Sequence, residues 1–314
     1  MALELEIWHE SIQENLFKDN GFLRAISDVS SDNIIGGKIV HIPQAGDPSA
    51  VEKNRSSVPA TPAKRVDTEV LYKIDEYTTD PVYIPNAENV ELSYNKRQSV
   101  LDNDLGNLSE TIAENMLHNF VKSPVGDNQE IPSEHILSTE GDNVSAGLAG
   151  ATGNRKAYTL KDLQRLKARL IKQNAWREGK MNVLLTADAA VQMFPVDSAI
   201  TATYMAAVTE KEQREGIVYK VQGFNVYVRS SAYVIDEAGE IKAPGSVVEE
   251  TDTEAIVAWN TNMLEKAVGN TKIFETLNDP TYYGDIYSFL VRMGGRAKRK
   301  NYEGILLLKQ AATS

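Results

Sequence analysis

The chain has 314 residues, 42% of them hydrophobic and 25% charged, with a formal net charge of −11 and no cysteine. That length suits about two domains, and the acidic balance argues against a dedicated nucleic-acid binder, which needs basic surface to neutralise phosphates. The lack of cysteine excludes disulfides, thiolate metal sites and cysteine nucleophiles, and fits folding in a reducing cytoplasm.

Residues 3–19 place Leu5, Trp8, Ile12 and Leu16 at helical spacing, which predicts an amphipathic helix, with Gly21 as its stop. The opening MALELEIWHESIQENLFKDN has no basic n-region and no continuous apolar h-region, so no signal peptide is expected. No apolar run approaches the ~18 residues of a membrane span. A terminal helix this short cannot bury its own stripe. Trp8, Ile12 and Leu16 are therefore expected to dock on the body or on a neighbouring subunit.

Residues 38–43 (KIVHIP) predict a short strand and residues 69–77 (EVLYKIDEY) a longer alternating one. Between them, QAGDPSAVEKNRSSVPATPAKRVD is polar and proline-interrupted, with no helical period. A connection of that length is unusual inside a compact domain. It reads either as a disordered surface loop or as a two-stranded arm held by other subunits, with Lys53, Arg55, Lys64 and Arg65 as contact residues. Folded as a hairpin, residues 38–75 would reach at most about 60 Å at ~3.3 Å per residue.

Residues 94–121 carry the strongest helical pattern, with Leu101, Leu105, Leu108, Ile112, Leu117 and Phe120 on one stripe and Asp102, Asp104, Glu110 and Glu114 off it. Such a rod is about 40 Å long at ~1.5 Å per residue. Residues 122–156 are polar and glycine-rich, a loop or insertion. Thr159 and Asp162 form a capping-box pattern ahead of Leu163, Leu166 and Leu170. Residues 182–185 predict a buried strand, and Thr186 caps a short helix ending near Pro195. Residues 217–221 and 224–228 predict a hairpin around Gly223, 232–241 a strand and turn, and 244–252 a linker. Four strands follow, at 255–259, 271–277, 286–293 and 304–309. Because both ends of the chain are strand-rich, they are expected to pack together on the long helix, with the middle inserted as a second domain. There is no internal repeat.

No catalytic template fits. Gly147, Gly150 and Gly153 precede Asn154-Arg155-Lys156 without the GxxxxGK[ST] spacing or a leading strand, so a flexible loop is expected rather than a phosphate cradle. Residues 102–106 lack the glycine and closing glutamate of a calcium loop. His9, His41, His118 and His135 fall in separate elements, and the carboxylates are diffuse. No catalytic, cofactor or metal residue is assigned, and an enzyme with an unfamiliar site would need a deep polar pocket. Arg292, Arg296, Lys298, Arg299 and Lys300 do form a local basic cluster. It reads as a solvated strand end, a contact for an acidic neighbour, or a weak contact with DNA.

The order of these pieces resembles the Hong Kong 97-type capsid fold of tailed bacteriophages. WHESIQENLFKDNGFLRAISDVSSDNIIGGKIVHIPQAG is similar to the arm and rising E-loop strand of that family, and VLYKIDEYTTDPVYIP with SYNKRQSVLDNDLGNLSETIAENML to its descending strand and spine helix. NVLLTADAAVQMF and GIVYKVQGFNVYVRSS resemble the core of its axial domain. AVGNTKIFETLNDPTYYGDIYSFLVRMGGRAKRKNYEGILLL resembles the closing strands of its peripheral domain.

The resemblance implies an α+β chain with an N-terminal arm at 1–35, an extended E-loop hairpin and first peripheral strands at 36–85, and a spine helix at 86–121. An inserted axial domain at 122–253 and return strands at 254–314 would complete it. It further implies a non-enzymatic major capsid protein without cofactor. Hexamers and pentamers of itself would form an icosahedral head around double-stranded DNA, assembled in the bacterial cytoplasm. Portal, scaffolding and decoration proteins are the implied partners, DNA is held weakly, and no membrane is involved; Arg296, Lys298, Arg299 and Lys300 would face DNA or a subunit interface. Some relatives crosslink an E-loop lysine to a neighbour's asparagine, for which Lys53 or Lys64 and Asn270 or Asn278 would serve. An encapsulin-like nanocompartment shell and a tail or baseplate protein are the alternatives.

Overall fold

Helix α1 (Lys96–Val121) runs 26 residues, about 39 Å at ~1.5 Å per residue. Its predicted stripe is buried throughout, from Leu101 to Phe120, and Ala113 and Met116 join it. Residues 102–106, weighed above as a calcium loop, are part of this continuous helix. Gly106 sits in its interior, and a methyl group built there meets nothing within 4 Å. Gly106→Ala should therefore stabilise the protein by about 0.5–1 kcal/mol, since glycine loses more backbone freedom on folding than alanine. Thermal denaturation should show a raised midpoint, and a lowered one would mean that the site is more crowded than this.

The computed structural model describes residues 20–29, 39–46, 48–56, 58–59, 62, 64–85, 96–123, 130–195 and 198–313. The helix predicted over 3–19 lies outside them. Ahead of α1 come a 3-10 turn (Gly21–Ala25), β1 (Ser27–Asp28), β2 (Ile39–Gln44), β3 (Thr68–Lys73), β4 (Asp75–Thr78) and β5 (Val82–Pro85). After it come β6 (Ile136–Ser138), the small hairpin β7 (Asn143–Ser145) and β8 (Asn154–Lys156), α2 (Leu160–Lys172), β9 (Met181–Thr186) and α3 (Ala187–Met193). Then follow α4 (Ala199–Ala206), α5 (Glu210–Arg214), β10 (Tyr219–Val221), β11 (Phe224–Arg229) and β12 (Tyr233–Ile235). The chain closes with β13 (Thr253–Asn260), β14 (Leu264–Asp279), β15 (Gly284–Ala297) and β16 (Ile305–Lys309).

Two larger sheets result. One has five strands: β14 and β15 form a long antiparallel hairpin, β1 lies parallel to β14, and β4 and β5 pair with β15. Helix α1 packs on β15, where Gly295 lets it approach, while Gly294 makes room for the β3–β4 junction. A Cβ on Gly295 would meet the Met116 side chain of α1 at 2.6 Å, and one on Gly294 would meet the Lys73 carbonyl at 2.4 Å. The other sheet has seven strands in the order β10-β11-β9-β13-β16-β6, with β12 also on β13. The β10–β11 hairpin turns through Gln222 and Gly223, both at positive φ (52° and 92°), the geometry that a two-residue hairpin loop requires.

Strands β9 and β13 are buried along their whole length because the sheet is covered on both faces. Alternation divides their side chains between two cores. Val183, Ile256, Ala258, Leu306 and Leu308 meet Leu163, Leu166 and Leu170 of α2. Leu184, Val257, Trp259, Ile305 and Leu307 join the stripe of α1 and Phe289 and Val291 of the five-stranded sheet. The first sheet and the second thus share one core through α1.

This pairing departs from the domain expectation. The boundary at 253/254 sends the whole C-terminal stretch back to the first unit, yet β13 and β16 are central strands of the seven-stranded sheet. Residues 244–252 have the composition of a linker, but they only turn the chain within one sheet. Residues 122–156 also depart from a plain loop: β6 adds an edge to the seven-stranded sheet and β7–β8 form a hairpin. Arg155, next to the three glycines weighed as a phosphate loop, is buried and donates to the carbonyls of Thr152, Asn154, Glu250 and Asp252. It is a strut that satisfies backbone acceptors. The single strand predicted at 69–77 is β3 and β4, broken at buried Ile74, where the chain leaves one sheet for another.

Candidate assembly surfaces

Strands β2 and β3 pair in six residue registers, from Ile39↔Lys73 to Gln44↔Thr68, as a two-stranded hairpin outside both larger sheets. Its root is apolar on one side: Val70 and Tyr72 are buried, and Val40 and Ile42 pack on the small cluster of Tyr72, Ile74 and Ala267. Beyond Gln44 the apolar side ends. Val51, Val58 and Val66 are 97%, 83% and 72% exposed, and every described side chain from 48 to 69 lies open to solvent. Arg55 pairs with Glu52 at 3.5 Å and Arg65 with Asp67 at 2.6 Å. Arg65 and the Gly46 amide together hold the Asp67 carboxyl below its usual range. Lys53 and Lys64 have no ion pair among the described residues and stand free on the same loop. Asn278 is exposed near the far end of β14.

The base of the hairpin is held by a polar clamp. Arg296 is fully buried; its guanidinium donates to the Leu71 carbonyl at 2.9 Å and lies 5.9 Å from the Tyr302 ring centre. Tyr72 donates to Glu265 at 3.0 Å, Glu265 faces Lys298 at 3.4 Å, and Lys298 donates to the Ser27 hydroxyl at 2.9 Å. Gln44 donates to the Lys298 carbonyl at 2.7 Å. Burial first, and then the charge of Glu265, push the Tyr72 hydroxyl well above its ordinary pKa.

The basic cluster is consequently not one surface in the folded chain. Arg296 faces inward, Lys298 is committed to Glu265 and Ser27, and Arg292 lies 3.4 Å from Glu76. Lys300 is half-buried, leaving Arg299 as the exposed member. Arg292 and Arg296 lie on β15 and Lys298, Arg299 and Lys300 on the turn after it, and what packs around each sets its exposure, which a linear reading of charge does not resolve. Trp8, Ile12 and Leu16 lie outside the described residues.

A second surface leaves no mark in the periodicity of the chain. At the end of the β14–β15 hairpin Phe274, Leu277, Tyr282 and Tyr283 are 51%, 43%, 58% and 78% exposed, beside Tyr83 of β5 at 42%. Tyr83 donates to the Tyr282 carbonyl, and the two rings lie 6.1 Å apart. Adjacent tyrosines in a turn (NDPTYYG) were the available signal, because a solvated turn favours small polar residues.

Among the described residues, no group of three or more His, Cys, Asp or Glu could hold a metal, and no helix is long and apolar enough to cross a membrane. His41 pairs with Glu69, whereas His118 and His135 are held below their usual pKa, chiefly by burial. One strongly perturbed carboxylate is Glu254, buried on β13, which accepts from the Thr186 hydroxyl at 2.6 Å. Burial pushes its pKa from 4.5 up to about 7, against that hydrogen bond and with a further rise from Asp188. A raised carboxylate pKa means that the folded state binds the extra proton. Stability from this group is therefore greatest below about pH 4.5 and declines as pH rises to 7. Glu254→Gln should keep the acceptor, remove the buried charge and stabilise the protein at pH 8 by up to about 3 kcal/mol. The gain should fade towards pH 5. A gain independent of pH in urea denaturation would show that the charge is not the cause.

No family model and no curated protein matches this sequence. Solved structures do. The capsid of Ralstonia phage GP4 superposes with a TM-score of 0.66 at 11% identity, over 92% of this chain and 88% of that one. The capsid of cyanophage P-SCSP1u gives 0.62 at 16% identity, over 93% and 88%. A virus-like particle from Pyrococcus furiosus gives 0.52 at 11% identity, over 97% and 99%. With nearly whole chains aligned and little identity left, what is common is backbone architecture: the chain has the α+β, Hong Kong 97-type fold of tailed-phage capsid proteins.

Proposed function

We propose that this chain is a major capsid protein, a structural subunit that builds an icosahedral phage head from hexamers and pentamers of itself. The observation that carries this reading is the β2–β3 hairpin. It is clamped at its base, yet from residue 48 to 69 its described side chains have no body of their own to rest on. Ordering such a segment costs about 1–2 kcal/mol per residue in backbone entropy alone, and contacts with adjacent subunits would offset that cost. The fold likeness over about nine-tenths of both chains supports the same reading.

In these terms the hairpin is the E-loop, α1 the spine helix, and the five-stranded sheet the peripheral domain. The seven-stranded sheet is the axial domain, and residues 1–35 are the N-terminal arm. Lys53, Arg55, Lys64, Arg65 and the aromatic tip around Tyr282 meet neighbouring copies. The subunit works without catalysis or cofactor. It assembles in the host cytoplasm, with portal and scaffolding or decoration proteins as partners, and encloses double-stranded DNA held weakly and without sequence preference.

Negative-stain microscopy of the purified protein should show capsomers or closed shells. A stable monomer over a wide concentration range, with residues 48–64 protected from protease, would sink the reading. Likeness to the Pyrococcus furiosus particle supports a second reading, a nanocompartment shell. Shell contents separate the two: DNA for the first, protein cargo for the second.

A further inference from the structure

Away from both assembly surfaces, three arginines from separate elements line one cavity of about 260 Å³: Arg24 on the 3-10 turn, Arg214 at the end of α5 and Arg229 at the end of β11. Glu215 is the only acid among its lining residues. Three guanidinium groups against two carboxylates, Glu215 in the wall and Glu114 paired with Arg229, make a local positive site on a chain of net charge −11. Arg24 and Arg214 are exposed and have no ion pair or hydrogen-bonding partner among the described residues. Arg229 is more deeply set, with its side chain 13% exposed; it donates to the Ser231 carbonyl at 3.1 Å and pairs with Glu114 at 3.7 Å.

The walls are fixed before any ligand arrives. The turn that carries Arg24 is pinned by the Trp259 indole, which donates to the Ala25 carbonyl at 3.0 Å, and by Asn20, which donates to the Ser109 hydroxyl at 3.0 Å. Gly21 lies so close to the end of α5 that a Cβ there would meet the Glu215 carbonyl at 2.9 Å. The nearby carboxylate of Glu212 is already committed: Thr209 donates to it from its amide at 3.0 Å and its hydroxyl at 2.8 Å, and Lys220 pairs with it. It is not free to neutralise the arginines.

We propose that this cavity is an oxyanion site that takes a phosphate group, carried either by a free phosphate or by a nucleic-acid backbone. Arginine presents planar N–H forks that match phosphate oxygens. The forks of Arg24 and Arg214, on separate elements, can take different edges of a tetrahedral anion, with Arg229 adding positive charge behind them, whereas a planar carboxylate offers its oxygens to one fork. The volume lies below the ~300 Å³ at which cofactor-sized pockets begin and suits one phosphate group with part of its water shell. The site goes beyond shell building and does not depend on it, because binding can be read on unassembled protein.

The test is calorimetric titration of the full-length chain with inorganic phosphate, pyrophosphate and a short DNA duplex, at low and raised salt. The wild type should bind at least one probe, more weakly as salt rises. Arg24→Gln combined with Arg214→Gln should weaken binding by ~10-fold or more, with an unchanged melting temperature, since both side chains are exposed. Glu215→Gln should tighten it several-fold by removing the only acid of the wall. Binding of the small anions but not the duplex assigns a free phosphate. Duplex binding lost in the double variant assigns the nucleic-acid backbone. Absence of binding at millimolar probe, undiminished binding in the double variant, or binding of a polyglutamate peptide without phosphate binding would each overturn the proposal.

Discussion

Replacing residues 48–64 by a short Gly-Ser turn should leave both sheets folded and abolish closed shells. The segment contributes nothing to the described core: Val51 and Val58 are exposed, and its one described ion pair, Arg55 with Glu52, lies wholly within it. The hairpin's anchors all lie outside the deletion, at Gln44, Leu71 and Tyr72 on its own strands and at Glu265, Arg296 and Lys298 on β14, β15 and the turn after it. Exposed changes of this kind usually move stability by less than about 1 kcal/mol, so circular dichroism and melting temperature should stay near the parent's. Assembly should fail, because each subunit loses the strap that lies over the next. Electron microscopy would then show capsomers or smaller species. Closed, stable shells from the shortened chain would mean that the segment is a surface loop without a part in assembly.

Leu105→Asp should prevent folding altogether. Leu105 is 2% exposed on the inner stripe of α1, within the core that joins the two sheets. Removing the isobutyl group costs ~2–5 kcal/mol, and a buried carboxylate without a partner adds several more. The total stability of a domain is only about 5–15 kcal/mol. The variant should appear in the insoluble fraction, while Leu105→Met, of similar volume, should lose less than about 1.5 kcal/mol and remain soluble. Soluble, cooperatively melting Leu105→Asp protein would contradict the placement of α1 between the sheets.

Whatever depends on neighbours in the chain was legible in the sequence. The stripe of α1, the Thr159–Asp162 capping box, the Gln222-Gly223 turn and the bare polar run of the hairpin all follow from spacing within a few residues, and each stands as expected. Helices α4 and α5 were passed over for the same local reason. AITATYMA has little polar face to set a period, and EKEQR buries no side chain at all.

Tertiary structure alone decided which strand lies beside which. Strand β13 sits between β9 and β16, each about fifty to seventy residues away in sequence, and strand pairing at that distance leaves no mark on local pattern. The same holds for charge. Arg296 and Arg299 are three residues apart, but one holds the hairpin's backbone inside the protein and the other meets solvent. Arg24, Arg214 and Arg229 look unrelated along the chain, and only the packing of a turn, a helix end and a strand end brings them to one cavity. Periodicity reports which face of an element is apolar; what that face or a charged neighbour meets is set by long-range packing, because burial and electrostatics act through space.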